Sequence, residues 1–139
     1  MPLTPALLPT PAQIEAAHAR DDGTPIFMLN LLRFRDRAAY ADGRASELSG
    51  RDAYALYGQA MLRLIMAAGG SLTFFGEVRG LLIGAADEAW DQVAVMMYPS
   101  FKVMSEITSS PAYAEIHVHR EAGLAEQLLI ETVLPAGFR

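Results

Sequence analysis

The second half of the chain lays out strand and helix signals in an order that constrains the fold more than any other feature. Trp90 to Pro99 reads as a β-strand, Ser100 to Ser109 as a short helix, Ser110-Pro111-Ala112-Tyr113 as a new helix start, and Leu128 to Leu134 as a closing strand. Upstream, Ile26-Phe27-Met28-Leu29-Asn30-Leu31-Leu32-Arg33-Phe34 is apolar on both faces, the mark of a strand covered on both sides. Ser49 with Asp52 offers a helix cap, after which Ala53, Leu56, Tyr57, Ala60, Met61, Leu64, Ile65 and Ala68 recur at helical spacing until Gly69-Gly70 stops them. From Ser71 the period becomes two, with Leu72, Phe74 and Val78 on one face and Ser71, Thr73, Phe75, Glu77 and Arg79 on the other. Gly80 to Gly84 extends or bulges that strand, Ala85 to Ala89 forms a turn, and Trp90 to Tyr98 returns as the hairpin partner.

The resulting order is strand, helix, strand, strand, helix, strand. It points to an α+β chain of ferredoxin-like βαββαβ type with an antiparallel sheet. An extra helix precedes it, because Thr10-Pro11-Ala12-Gln13 has the form of a capping box with Pro at the first turn and Asp22-Gly23 supplies the stop. The charged stretch Arg35 to Glu47 reads as a long loop with a helical turn around Ala38 to Ala41. Helices cover only one side of such a sheet, so its other side needs a partner sheet, and a homodimer follows as an expectation.

Composition sets the remaining bounds. With 139 residues, 52% of them apolar, the chain suits one domain, with residues 1–24 as an extension and 25–134 as the core. The basic residues Arg33, Arg35, Arg37, Arg51, Arg63 and Arg79 are scattered and the net charge is -5, which argues against nucleic acid. The chain has no cysteine, which excludes disulfides and thiolate chemistry. Met1-Pro2-Leu3-Thr4-Pro5 has no basic region followed by a long apolar one, and no apolar run approaches the roughly 20 residues that span a bilayer. The expected location is cytoplasmic, without membrane contact.

Groups able to move protons or hold charge are few. Tyr113, His117 and Arg120 fall four and three residues apart and share one helix face. An imidazole beside a phenol and a guanidinium can bind an organic acid or move a proton, and the same face can equally be a solvated or dimer-lining one in which Arg120 pairs with a Glu. His117 and His119 are two apart on a helix and point to different faces, which speaks against a shared metal ion. Haem needs one axial His, but nothing else in the chain speaks for it. Neither metal nor cofactor is expected.

Asn30 interrupts an apolar strand and must find partners, as a ligand contact or as a structural bridge. Tyr57 lies on the apolar face of the long helix and is a further pocket candidate, with Tyr54 more peripheral. Glu77 and Arg79 share a strand face and pair with each other or across a dimer. Trp90, Met96, Met97 and Met104 read as packing. Ser100 caps a helix; no Gly-x-Ser-x-Gly elbow or dinucleotide fingerprint is present.

Met28-Leu29-Asn30-Leu31-Leu32, Asp52-Ala53-Tyr54-Ala55-Leu56-Tyr57, Ala68-Gly69-Gly70, Tyr98-Pro99-Ser100-Phe101 and Ser110-Pro111-Ala112-Tyr113 followed by Arg120 together resemble the family known as domain of unknown function 1330, over roughly Ile26 to Val133. The resemblance implies a dimeric α+β barrel, a fold class shared with antibiotic-biosynthesis monooxygenases, muconolactone isomerases and haem-binding chlorite dismutase relatives. It implies no settled reaction. The related barrel monooxygenases place polar residues on sheet strands that face a cavity under the helices, which favours Asn30 as a ligand contact. The N-terminal helix and the Arg35 to Ser49 insertion depart from the short form of the family, and either lid a pocket or extend a dimer contact.

Two functions remain open. One is a cofactor-independent, monooxygenase- or isomerase-like enzyme in which His117 and Arg120 are catalytic and Asn30, Tyr57 and Tyr113 bind a small organic acid or aromatic ligand. The other is a non-catalytic ligand-binding or structural homodimer whose interior is filled by Phe27, Phe74, Phe101 and the methionines. An enclosed, partly polar cavity touching His117 favours the first.

Overall fold

A computed structural model describes residues 3–86 and 89–138. Its elements are α1 (Pro11–Arg20), β1 (Ile26–Phe34), α2 (Gly50–Ala67), β2 (Ser71–Glu77), β3 (Gln92–Tyr98), α3 (Phe101–Thr108), α4 (Pro111–Gly123) and β4 (Leu124–Thr132). The strands form one sheet in the order β2-β3-β1-β4. All neighbours are antiparallel, with Asn30 opposite Ala94 on one side and Leu129 on the other. This is the ferredoxin-like arrangement, with α3 and α4 sharing the second crossover.

Each helix starts on a hydroxyl that satisfies an otherwise orphaned N–H. Thr10 closes a capping box with Gln13, and Ser49, Ser100 and Ser110 accept from the amides of Asp52, Val103 and Tyr113. All four helices cover one side of the sheet. Ala17 of α1, Tyr57, Met61 and Ile65 of α2 and Phe101 and Ile107 of α3 bury Ile26, Met28 and Tyr98, with Tyr113 and Ile116 of α4 packed against them. The opposite side presents Phe27, Leu29, Leu31, Phe74, Val93, Val95, Met97, Leu128 and Ile130, with no helix over it.

Four boundaries differ from the sequence expectation. β4 begins at Leu124, directly after α4, because Gly123 lets the chain reverse against α2 and drops Leu124 fully into contact with Leu32 and Phe34. Trp90 lies outside β3. Asp91 ends the ladder there, its N–H bonded to the Leu32 carbonyl at 2.7 Å and its carboxylate accepting from the Phe34 N–H at 2.8 Å. β2 stops at Glu77, so Gly80 to Gly84 does not extend it; within the turn expected at Ala85 to Ala89, Asp87 and Glu88 lie outside the described residues. The segment 35–49 contains no helix; in place of the turn expected around Ala38 to Ala41, a hydrogen-bonded turn runs from Tyr40 to Gly43, closed at 3.0 Å.

A bulge between Leu72 and Phe74 also divides the face assigned to them. Leu72 pairs with Met96 on the helix side, while Phe74 pairs with Val95 on the open side and is 56% exposed. Glu77 does not pair with Arg79: Arg51 grips it at 2.8 and 2.9 Å and Gln92 donates to it at 2.9 Å. Arg51 holds the Glu77 carboxyl below its usual range. No helix among the described residues is long and apolar enough to cross a membrane.

Candidate functional site

Three polar side chains meet on the helix side of the sheet. Asn30 of β1 and Gln127 of β4 are diagonal neighbours, since Asn30 sits opposite Leu129 and Leu32 opposite Gln127. The Gln127 amide donates to Asn30 Oδ1 at 2.7 Å, and the Asn30 amide donates to the carbonyls of Ala94 and Met28 at 3.2 and 3.1 Å. Asn30 is therefore satisfied within the fold, as a structural bridge requires. Its partner Gln127 turns its own oxygen outward from the pair to accept from Arg120 Nη2 at 2.5 Å.

Arg120 occupies the last turn of α4, where its charge opposes the negative end of the helix dipole. Only 9% of its surface is exposed, so it is not the solvated arginine that the sequence also allowed. No carboxylate among the described residues lies within ion-pair distance of it. Its acceptors are neutral: Gln127 and the Leu7 carbonyl, the latter also 2.5 Å from Nη2. Nε and Nη1 find no acceptor among the described residues, yet neither is sealed from accessible space.

A second group joins the other candidates. The rings of Phe34, Tyr54, Tyr57, Tyr113 and His117 form a chain with successive centroid distances of 5.2, 5.3, 6.2 and 5.4 Å. It runs from the end of β1 across α2 to α4. Burial pushes the Tyr54 hydroxyl up to about 12, against an opposing effect of the nearby Arg120 charge. Burial likewise pushes Tyr57 well above the ordinary tyrosine range, reinforced by Tyr54 and by the facing Tyr113 hydroxyl. Tyr98 is raised for the same reason. These phenols are thus held neutral, as hydrogen-bond donors.

At the outer end of this ring chain, His117 Nδ1 lies 2.7 Å from a Glu121 carboxylate oxygen one helical turn on. This bond fixes the imidazole and leaves Nε2 to act elsewhere. His117 and Arg120 make no mutual bond. The structure therefore divides the five candidates, placing Asn30 with Arg120 through Gln127, and Tyr57 with Tyr113 and His117. The two groups are neighbours through the packing of Gly123, at the end of α4, against the backbone of Tyr54.

Gln127 and Tyr54 were not singled out as central by sequence. The strand beginning at Leu124 rather than Leu128 hid Gln127, and Tyr54 precedes Tyr57 by three residues, a spacing that places both on one helix face. Two surface concavities, of about 450 Å³ and about 260 Å³, lie away from Arg120 and His117, the smaller bordering the ring chain at Phe34. The larger is lined by Leu64, Val103 and Ile107 among others and the smaller by Phe34, Arg51 and Asp91 among others, and neither includes His117. The 35–49 loop fastens to α4 and to its junction with β4 through Tyr40–His119 at 2.7 Å, Ala39 N–H to the Ala122 carbonyl at 2.9 Å and Arg35 N–H to the Gly123 carbonyl at 2.8 Å.

Comparison with known proteins agrees with this architecture. The chain is similar to a Rhodopseudomonas palustris protein of unknown function, RPA0582, at 36% identity over 95% of this chain and 100% of that one, with a TM-score of 0.83. The methylated form of RPA0582 gives 38% identity, coverage of 96% and 99%, and a TM-score of 0.85. An Arabidopsis thaliana protein, At3g17210, shares the fold at 14% identity, covering 80% of this chain and 96% of its own, with a TM-score of 0.53. No curated protein matches. The model of one family, described as domain of unknown function (DUF1330), matches residues 38–133, and it is to this family that the chain belongs.

Proposed function

We propose that this protein is a homodimer in which each subunit binds a small organic acid, aromatic in preference, between sheet and helices, with Arg120 taking the carboxylate. The observation that carries this reading is an arginine nine-tenths buried as a residue whose acceptors among the described residues are all neutral. Burying a cation costs several kcal/mol even after relaxation. A fold that needed only a strut at this place would be served by an uncharged side chain, whereas a carboxylate recovers the cost through a charge-assisted fork. The neutral tyrosines supply ring faces for an aromatic body and hydroxyls for its polar substituents.

As for chemistry, we infer a cofactor-independent, isomerase-like proton transfer, with His117 as the base and Glu121 orienting it. The 2.7 Å bond to Nδ1 supports this, because it leaves Nε2 as the proton acceptor. Asn30 acts by fixing Gln127, and Tyr57 and Tyr113 connect the carboxylate end to His117. A non-catalytic binding or structural homodimer is the alternative, favoured by the two short bonds that already occupy Nη2 of Arg120 and by the absence of His117 from the linings of both concavities.

The second copy is inferred from the open sheet face. Four strands (β1–β4) at about 4.8 Å spacing and about 25 Å length cover roughly 500 Å² per copy, so two such faces bury about 1,000 Å², the scale of a specific interface. Titration calorimetry with sodium benzoate tests the ligand reading. Binding that Arg120→Leu abolishes, while the variant remains folded, is the expected result. Equal binding by both, or none by the natural protein at millimolar benzoate, leaves the structural alternative.

A further inference from the structure

The Arg120 site is closed on one side by a piece of chain that belongs to none of the layers. Residues 3–10 form a strap past the edge of β4, bending at Leu7 and Leu8. Ala6 makes a single antiparallel bridge to Gln127, with N–H to carbonyl distances of 3.1 and 3.0 Å. The next residue, Leu7, directs its carbonyl at Arg120 Nη2. Gln127 thus holds the strap by its backbone and the guanidinium by its side chain, so the two are mechanically joined at one residue.

The strap is lightly fastened. Leu3 and Leu8 are 70% and 63% exposed, and Leu7 is the one strap residue packed against the Leu32, Phe34 and Leu124 cluster. It carries no charge, with the sequence Leu3-Thr4-Pro5-Ala6-Leu7-Leu8-Pro9-Thr10, so what it offers Arg120 is one neutral carbonyl oxygen. A carboxylate offers two anionic oxygens in the geometry of the guanidinium fork. We propose that the N-terminal strap is a competing lid on the Arg120 site, its Leu7 carbonyl holding the donor that a carboxylate ligand takes when the strap lifts.

The inference rests on Arg120 being the carboxylate anchor, and adds to it a linkage. Strap closure and ligand binding compete for Nη2, so loosening the strap raises affinity and the ligand in turn loosens the strap by the same factor. The prolines at 5 and 9 keep their own positions out of helix and sheet ladders in either state, because each fixes its backbone and lacks an N–H.

The test uses the full chain and sodium benzoate as probe. Ala6→Pro removes the N–H that bonds to Gln127, Leu7→Ala removes the strap's packing, and Leu8→Ala, at an exposed position, serves as control. Ala6→Pro and Leu7→Ala are expected to bind benzoate about tenfold tighter than the natural chain, with Leu8→Ala unchanged. In the natural chain, benzoate is expected to speed hydrogen exchange at the Ala6 and Gln127 amides, a readout that needs no variant. Equal affinity in all four proteins with unaltered exchange, or exchange slowed by benzoate, overturns the lid and leaves the Arg120 site standing. Absence of binding in every protein, including the loosened ones, overturns the site and the lid together.

Discussion

The close approach of α2 and α4 leaves no room for a side chain at their junction, and Gly123→Ala probes it directly. An ideal Cβ at Gly123 would lie 2.3 Å from the Gly50 carbonyl oxygen, 2.7 Å from the Tyr54 nitrogen and 3.1 Å from the Tyr54 Cβ. The first two are backbone atoms and cannot rotate away. A carbon rests no closer than about 3.3 Å to a carbonyl oxygen, so the start of α2 and the end of α4 must part by about 1 Å. Overpacking of this kind costs about 3 kcal/mol, at the upper end of the usual range because backbone rather than side chain must yield. At about 4 °C per kcal/mol for a chain of this size, the melting temperature falls by about 12 °C. Gly58→Ala, within α2, is the control, since its Cβ meets nothing within 4 Å. It is expected to stabilise by about 0.5 to 1 kcal/mol. Urea unfolding with unchanged m-value checks both. A Gly123→Ala melting temperature within about 2 °C of the parent would refute the close-packed α2–α4 junction, and with it the placement of Tyr54 beside Arg120.

Other perturbations address the interior network, the open face and the tyrosines. Gln127→Leu strips Arg120 of one acceptor and Asn30 of its donor; a loss of about 2 to 4 kcal/mol in urea unfolding is expected, and a loss below about 1 kcal/mol would show that the three residues do not form a network. Val95→Glu places a charge at the middle of the uncovered sheet face and is expected to convert a dimer into a monomer by light scattering; an unchanged mass would move the interface elsewhere. Tyr54 and Tyr57 carry raised pKa values, so the unfolded chain releases their protons first. The stability they contribute is complete below about pH 10 and is lost as pH rises towards the folded value of about 12 for Tyr54. Ultraviolet titration of the five tyrosines checks this, with full ionisation of all five by about pH 11 as the contrary result.

Much of the architecture was legible because it rests on local signals. The Thr10, Ser49, Ser100 and Ser110 caps announce four helix starts, and the apolar run of β1 announces a central strand. What the sequence concealed depends on contacts distant in the chain. Leu124 to Gln127 carries no glycine or proline break after Gly123, so nothing local separates the end of α4 from the start of β4. The bulge at Thr73 moved Phe74 to the face opposite Leu72, because register is set by the partner strand rather than by alternation alone. Likewise Asp91, read as part of a strand, ends one by capping Phe34 from 57 residues away.

The same logic explains why the candidate site was only half visible. Asn30, Tyr57 and Arg120 are unusual for their local setting and stand out in a linear reading. Their relations do not, since Arg120 reaches Leu7 across 113 residues and Gln127 reaches Asn30 across 97. A helix face suggests that Arg120 should follow His117, yet the side chain turns instead to β4 and the strap, because Ala122 and Gly123 are buried against α2 and bring that end of α4 down onto the sheet. Arg120 is thereby enclosed, and Gln127 and Leu7 satisfy Nη2 without neutralising the charge. Among the described residues no carboxylate meets this cation, so on the proposed reading an anion from outside completes it, with the strap that offers Arg120 a neutral oxygen placed to admit it.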